Sequence, residues 1–180
     1  MDYKINKKWH LENKMPRGAN IKVRIQWHVN HKRECGCRPI PKSIQKKLLE
    51  RKPKLIVAVL ARHKNKFLLA RETLEGGKDY WIVPGGKVKF GETIEEAARR
   101  EICEETGIKT KRLKFLNYYE AIATEYNYHT VIFFFETKTN KTKIEDDIEG
   151  KVIEAKWFTK EEALKLNLVF SAKWLLEEVV

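Results

Sequence analysis

The segment from Gly85 to Ile108, GGKVKFGETIEEAARREICEETGI, constrains the fold more than any other part of this 180-residue chain. Residues 93–106 hold neither Pro nor Gly, are rich in Ala, Glu and Arg, and stop at Gly107, so the run predicts a helix with a glycine just past its end. Turning about 100° per residue from Ile94 puts Ala97, Ala98 and Ile102 within roughly 80° of it, on the stripe that faces a core. Glu101, Glu104 and Glu105 fall in that same arc, while Glu96, Arg99, Arg100 and Cys103 take the other side. Ionised carboxylates turned inward and close together are costly unless positive charge lies between them. Oxygen donors of this kind suit a hard divalent cation. Glu95 with Arg99 and Glu96 with Arg100 have the four-residue spacing of solvated ion pairs, and Cys103 reads as a packing residue.

Read from Gly86, the residues fit G-x5-E-x7-R-E-U-x-E-E-x-G-U, with U aliphatic, at Gly86, Glu92, Arg100, Glu101, Ile102, Glu104, Glu105, Gly107 and Ile108. This resembles the Nudix box, the signature of hydrolases that cleave a nucleoside diphosphate linked to another group. The resemblance implies a loop, a helix and a loop in which Glu101, Glu104 and Glu105 bind Mg²⁺ or Mn²⁺, joined by the backbone carbonyl of Gly85. Arg100, one turn before Glu104, is expected to hold a carboxylate in place, and Glu92 to steady the loop. Water then attacks a phosphorus of the pyrophosphate and a nucleoside monophosphate is released. In some members the general base is an acidic residue before the last strand, and here Glu154 is the first candidate and Glu149 the second. Their neighbours Glu145, Asp146 and Asp147 read as a solvated turn.

The residues that choose the leaving group lie outside the box. Members acting on ADP-ribose often carry a proline beyond it, and no proline follows Pro84. Members acting on dinucleoside polyphosphates often carry a tyrosine there, at about the place of Tyr126. Tyr126 and Tyr128 can stack on a base or pack in a core, and His129 and Arg71 are further candidates for substrate contact. The run YWIVPGGKV is also similar to GDP-mannose hydrolases, but those depart from the standard box and this chain does not.

Charge divides the chain. Residues 1–54 carry 16 Lys plus Arg against 4 Asp plus Glu, and the remainder carries 21 of each, so all of the formal +12 lies at the front. The boundary is expected near Pro53, with a basic N-terminal extension over residues 1–52 and a Nudix hydrolase domain over 53–180. Strands are expected at 55–62, 66–71, 80–83, 113–123, 128–137 and 152–158, with a hairpin at Lys64 and Asn65. Helices are expected at 160–166, capped by Thr159, and at 172–179, capped by Ser171. The fold class is α/β: the resemblance implies a Nudix-type α/β/α sandwich with a mixed β-sheet, plus the extension.

Within the extension, Ile21, Val23, Ile25, Trp27 and Val29 alternate as a strand would. The run WHVNHKRECGC offers His28, His31, Cys35 and Cys37, which can hold a structural Zn²⁺ or be solvated histidines and free thiols. The lysines and arginines, interleaved with Trp9, His10, Trp27 and His28, can engage RNA, steer anionic nucleotides toward a metal centre, or serve solubility. An RNA 5′-end hydrolase of decapping type and a binding module without catalysis are the readings from other classes. With no apolar run of about 18 residues and no apolar signal region after Met1, a cytoplasmic enzyme without a membrane partner is expected. Monomer and homodimer both remain open.

Overall fold

The computed structural model describes residues 5–50, 52–74, 77–123, 128–144 and 150–180. By its internal contacts the chain divides into two compact units, residues 1–53 with 121–129 and residues 54–120 with 130–180. Among the described residues, no helix is long and apolar enough to cross a membrane.

The first unit contains helices α1 (Lys7–Glu12), α2 (Ile21–Glu34) and α3 (Lys42–Leu49). Helix α2 corrects the expected strand over residues 21–29. Asn20 caps it, its side-chain oxygen accepting from the Val23 N–H at 3.1 Å. Ile25 and Val29, one helical turn apart, bury against Ile44, while Ile21 and Val23 stay exposed. The five alternating residues fit a period of two, but Ile21, Ile25 and Val29 also fit a spacing of four. A helix satisfies its backbone groups internally, whereas a strand needs a partner strand to do so.

The second unit is built on β1 (Lys54–His63), whose apolar run is buried on both faces. It turns at Lys64, which adopts a left-handed φ of 54°, into the antiparallel β2 (Lys66–Leu74), followed by β3 (Lys78–Ile82). The short strand β4 (Gly85–Lys87), where the resemblance implies a loop, pairs antiparallel with β1, Val57 opposite Gly86. After helix α4 (Ile94–Thr106) come β5 (Lys114–Ala123) and β6 (Tyr128–Lys138), and β6 lies parallel to β1 along its length. Strand β7 (Val152–Phe158) pairs antiparallel with β2. The main path of the mixed sheet is β3-β2-β1-β6-β5, with β4 on β1 and β7 on β2.

Alternation along β1 feeds two cores. Val57, Val59 and Ala61 pack with Ala97, Ala98 and Ile102 of α4. Ala58 and Leu60 pack on the other face with Phe134, Ala163, Leu175 and Leu176. The last three come from α5 (Lys160–Ala163) and α6 (Phe170–Glu178), which complete an α/β/α sandwich. Helix α5 ends at Ala163 rather than Leu166. Helix α6 starts at Phe170 with Val169 in the cap position, so Ser171 lies inside the helix and does not cap it.

Candidate active site

Helix α4 is fixed at both ends by its own residues. The Thr93 hydroxyl accepts from the Glu96 N–H at 3.2 Å, and the Glu96 carboxylate accepts from the Thr93 N–H at 2.8 Å, a reciprocal cap. At the far end Gly107 adopts a left-handed φ of 67° and its N–H donates to the Cys103 carbonyl at 2.9 Å. The apolar stripe locks the rotation of the helix, and that rotation carries Glu101 and Glu105 inward, leaving them 7% and 6% exposed. Glu104 is half-buried.

Strand β4 runs past these carboxylates. The Gly85 N–H donates to Glu105 Oε2 at 2.8 Å. A Cβ on Gly86 would stand 2.4 to 2.6 Å from the atoms of the Glu101 carboxylate, and one on Gly85 would stand 2.0 Å from the Val57 carbonyl oxygen. Both glycines are therefore required by close approach, Gly85 by the sheet and Gly86 by the carboxylate.

Arg100 ties the site together. The helical wheel puts it on the far side of α4, but its long side chain returns to the carboxylates. Its Nη1 donates to Glu101 at 2.6 Å and to Glu104 at 3.0 Å. Its Nε and Nη2 grip Glu92 at 3.0 and 2.6 Å, and Nη2 also reaches the Lys87 carbonyl at 3.1 Å. Arg100, helped by the Lys89 N–H, holds the Glu92 carboxyl at about 2. One guanidinium thus gathers three carboxylates, Glu92, Glu101 and Glu104, into a cluster of hard oxygen donors.

The other sequence candidates lie on other elements. Glu154 lies on β7 opposite Arg71 of β2, with Arg71 Nε 2.8 Å from its Oε1. Arg71 also pairs with Asp79 at 3.2 Å, and Lys156 pairs with Glu154. Lys156 first, then Arg71, holds the Glu154 carboxyl below the usual carboxylate range. Tyr128 and His129 open β6, Tyr128 exposed and His129 half-buried. Tyr126 and Glu149 lie outside the described residues.

The His and Cys candidates need one correction. The side chains that converge are His10, His31, Cys35 and Cys37, their ligand atoms all within 4.8 Å of one another. His28 is not among them and stands edge-on to Trp27 at 5.1 Å. Spacing within one run could not find His10, which comes from α1. The available signal was the repeated Trp-His pair, Trp9–His10 and Trp27–His28. The steric demand of the Glu101 carboxylate on Gly86 was likewise visible only once the strand and helix were set against each other.

The pattern described as the NUDIX domain matches residues 51–178. The chain is 37% identical over 111 residues to Nudix hydrolase 6 of Arabidopsis thaliana, an alignment covering 58% of this chain and 38% of that protein. It is 39% identical over 74 residues to phosphatase NudJ of Escherichia coli (strain K12), covering 41% of this chain and 48% of that one. The matched segments therefore span less than half the length of either relative. Among solved structures, the crystal structure of MutT NUDIX hydrolase from Burkholderia pseudomallei superposes with a TM-score of 0.66 at 24% identity. The superposition covers 72% of this chain and 100% of that one and is a likeness of fold.

Proposed function

Because the chain belongs to the Nudix family of hydrolases, we propose that residues 53–180 form a divalent-metal-dependent pyrophosphohydrolase. Its substrate is a nucleoside diphosphate linked to a further group, and one product is a nucleoside monophosphate. The observation that carries this reading is the pair of buried glutamates on α4, Glu101 and Glu105, set against Gly85 and Gly86 where no side chain would fit. Arg100 pairs with Glu101 and the Gly85 N–H with Glu105, and carboxylates gathered on one buried helix face suit a cation held between them.

The donor set fits Mg²⁺ or Mn²⁺: Glu101, Glu104 and Glu105 offer hard carboxylate oxygens, and the glycines of β4 let the backbone approach Glu101 and Glu105 closely. When bound, such an ion supplies charge to the phosphate oxygens and makes water a stronger nucleophile. Arg100 holds Glu101 and Glu104 in position from behind and joins them to the loop through Glu92. The capped ends of α4 keep the three carboxylates in register. Overall the water oxygen forms the new bond to phosphorus, the bridging oxygen leaves with the departing group, and a proton passes to solvent. We assign Glu154 to positioning Arg71 rather than to proton transfer, because Lys156 and Arg71 lower its basicity.

A second reading has its own observation. The 16 basic residues against 4 acidic ones in residues 1–54 suit the phosphate backbone of an RNA whose 5′ end enters the same chemistry. A panel of nucleotides, sugar nucleotides, dinucleoside polyphosphates and 5′-triphosphorylated or capped RNA, with products resolved by chromatography, tests both. Turnover of the free nucleotides as fast as the RNA supports the first reading. A preference for RNA that collapses with added salt supports the second, and no turnover of any member with Mg²⁺ or Mn²⁺ overturns both.

A further inference from the structure

The N-terminal unit has a chemistry that phosphate hydrolysis does not use. Its buried apolar core among the described residues consists of Ile25, Val29 and Ile44, edged by Ile40 and Leu48. So small a core does not by itself stabilise a segment of some fifty residues, and small units of this kind draw on metal or disulfide links. Beside it, four soft or borderline donors meet. His31 is 2% exposed, and a buried imidazole needs a partner for its ring nitrogen. Its Nε2 lies 3.3 Å from Cys37 Sγ. His10 Nε2 lies 3.4 Å from Cys35 Sγ and 3.5 Å from Cys37 Sγ.

These separations have a physical meaning. A tetrahedral zinc with Zn–S near 2.3 Å and Zn–N near 2.05 Å spaces its nitrogen and sulfur ligands about 3.5 Å apart. The three nitrogen-to-sulfur distances match that edge. The local backbone is shaped to deliver them. Cys35 and Gly36 both donate their N–H to the His31 carbonyl, at 2.9 and 2.8 Å, and Gly36 takes a left-handed φ of 64°. That turn brings the thiols of Cys35 and Cys37 to one side. The Asn6 N–H approaches Cys35 Sγ at 3.3 Å, and the Asn6 amide donates to the Glu34 carbonyl at 3.1 Å, which seats α1, and with it His10, on the end of α2. Amide groups aimed at a ligating sulfur are the usual support of a thiolate site. Trp27 stacks on the His31 ring at 5.0 Å and 4°, and Trp9 packs against it at 5.5 Å, which shields that ring from water.

We infer that His10, His31, Cys35 and Cys37 bind a structural zinc ion that fastens α1 to the end of α2 and supplies much of the folding energy of the N-terminal unit. The two-sulfur, two-nitrogen set selects zinc over the hard cation expected on α4. All four positions are taken by protein, so the site is closed and structural. Because an unfolded segment has no preformed site, metal binding and ordering of this unit are one event.

The full chain, without a histidine tag and purified without chelator, decides the matter by elemental analysis. Wild type and His28→Ala should each hold about one zinc per chain. His10→Ala and the double variant Cys35→Ser, Cys37→Ser should hold at least about tenfold less, as expected when a ligand of a four-coordinate site is lost. Refilling metal-free wild type with Co²⁺ should give the visible bands of a tetrahedral centre together with thiolate charge-transfer absorption, a readout that does not depend on any variant folding. Three results would each overturn the inference: wild type with no more zinc than the double variant, equal zinc in His10→Ala and His28→Ala, or an octahedral cobalt spectrum.

Discussion

Glu92 and Glu154 are each gripped by an arginine, and each grip makes a different prediction. Glu92 sits at about 2 because Arg100 and the Lys89 N–H favour its ionised form, against an ordinary value of 4.5. A carboxylate lowered on folding stabilises the native state fully above its unfolded value and loses that contribution as pH falls toward the folded one. Metal-free wild type should therefore be more stable than Glu92→Gln at neutral pH, with the difference shrinking from pH 4.5 down to about 2. Denaturant unfolding across that range checks the sign, and a gap that widens on acidification contradicts it. For Glu154, the pairing with Lys156 and Arg71 argues for positioning. We expect Glu154→Gln to lower kcat less than about tenfold and to leave the acid limb of the pH–rate profile in place, since a lost general base costs about a hundredfold or more. Loss of that limb together with a hundredfold fall would make Glu154 the base.

Among the elements, α4 could be read residue by residue because every local signal agreed. Thr93 and Glu96 cap it, Gly107 stops it, and Ala97, Ala98 and Ile102 fix its rotation, which in turn explains the inward glutamates. Helix α2 could not, because all five alternating residues fit a period of two while Ile21, Ile25 and Val29 also fit a spacing of four, and only the burial of Ile25 and Val29 against Ile44 separates the two. Strand β4 was hidden for the opposite reason. Gly85 and Gly86 carry no side chain to show a pleat, yet the Val57 carbonyl and the Glu101 carboxylate leave space for nothing larger. This gives a prediction that splits stability from activity. In Gly86→Ala the new Cβ meets the side-chain end of Glu101 rather than backbone, so the fold should survive with a loss within about 1–3 kcal/mol. The displaced carboxylate should lower kcat by about a hundredfold, as misplacement of about 1 Å in a catalytic group does. Thermal unfolding and turnover measured together test it, and full activity in a folded variant would remove Gly86 from the site.

At the scale of the whole molecule, the sandwich and its central strand were legible because β1 announces itself as an apolar run buried on both faces. The partner of His31 was not, since His10 and His31 are brought together by how α1 seats on α2 and by no spacing in the chain. The two units carry different donor sets, soft sulfur and imidazole in one and hard carboxylates in the other. The central claim concerns the carboxylates. Its most direct test is the initial rate of nucleoside monophosphate release from the best substrate of the panel, with Mg²⁺ or Mn²⁺ and with chelator, for wild type, Glu104→Gln and Glu105→Gln. Metal-dependent release by wild type that falls about a hundredfold or more in both folded variants is the predicted result. Release that persists in chelator, or turnover unchanged in both variants, would contradict it.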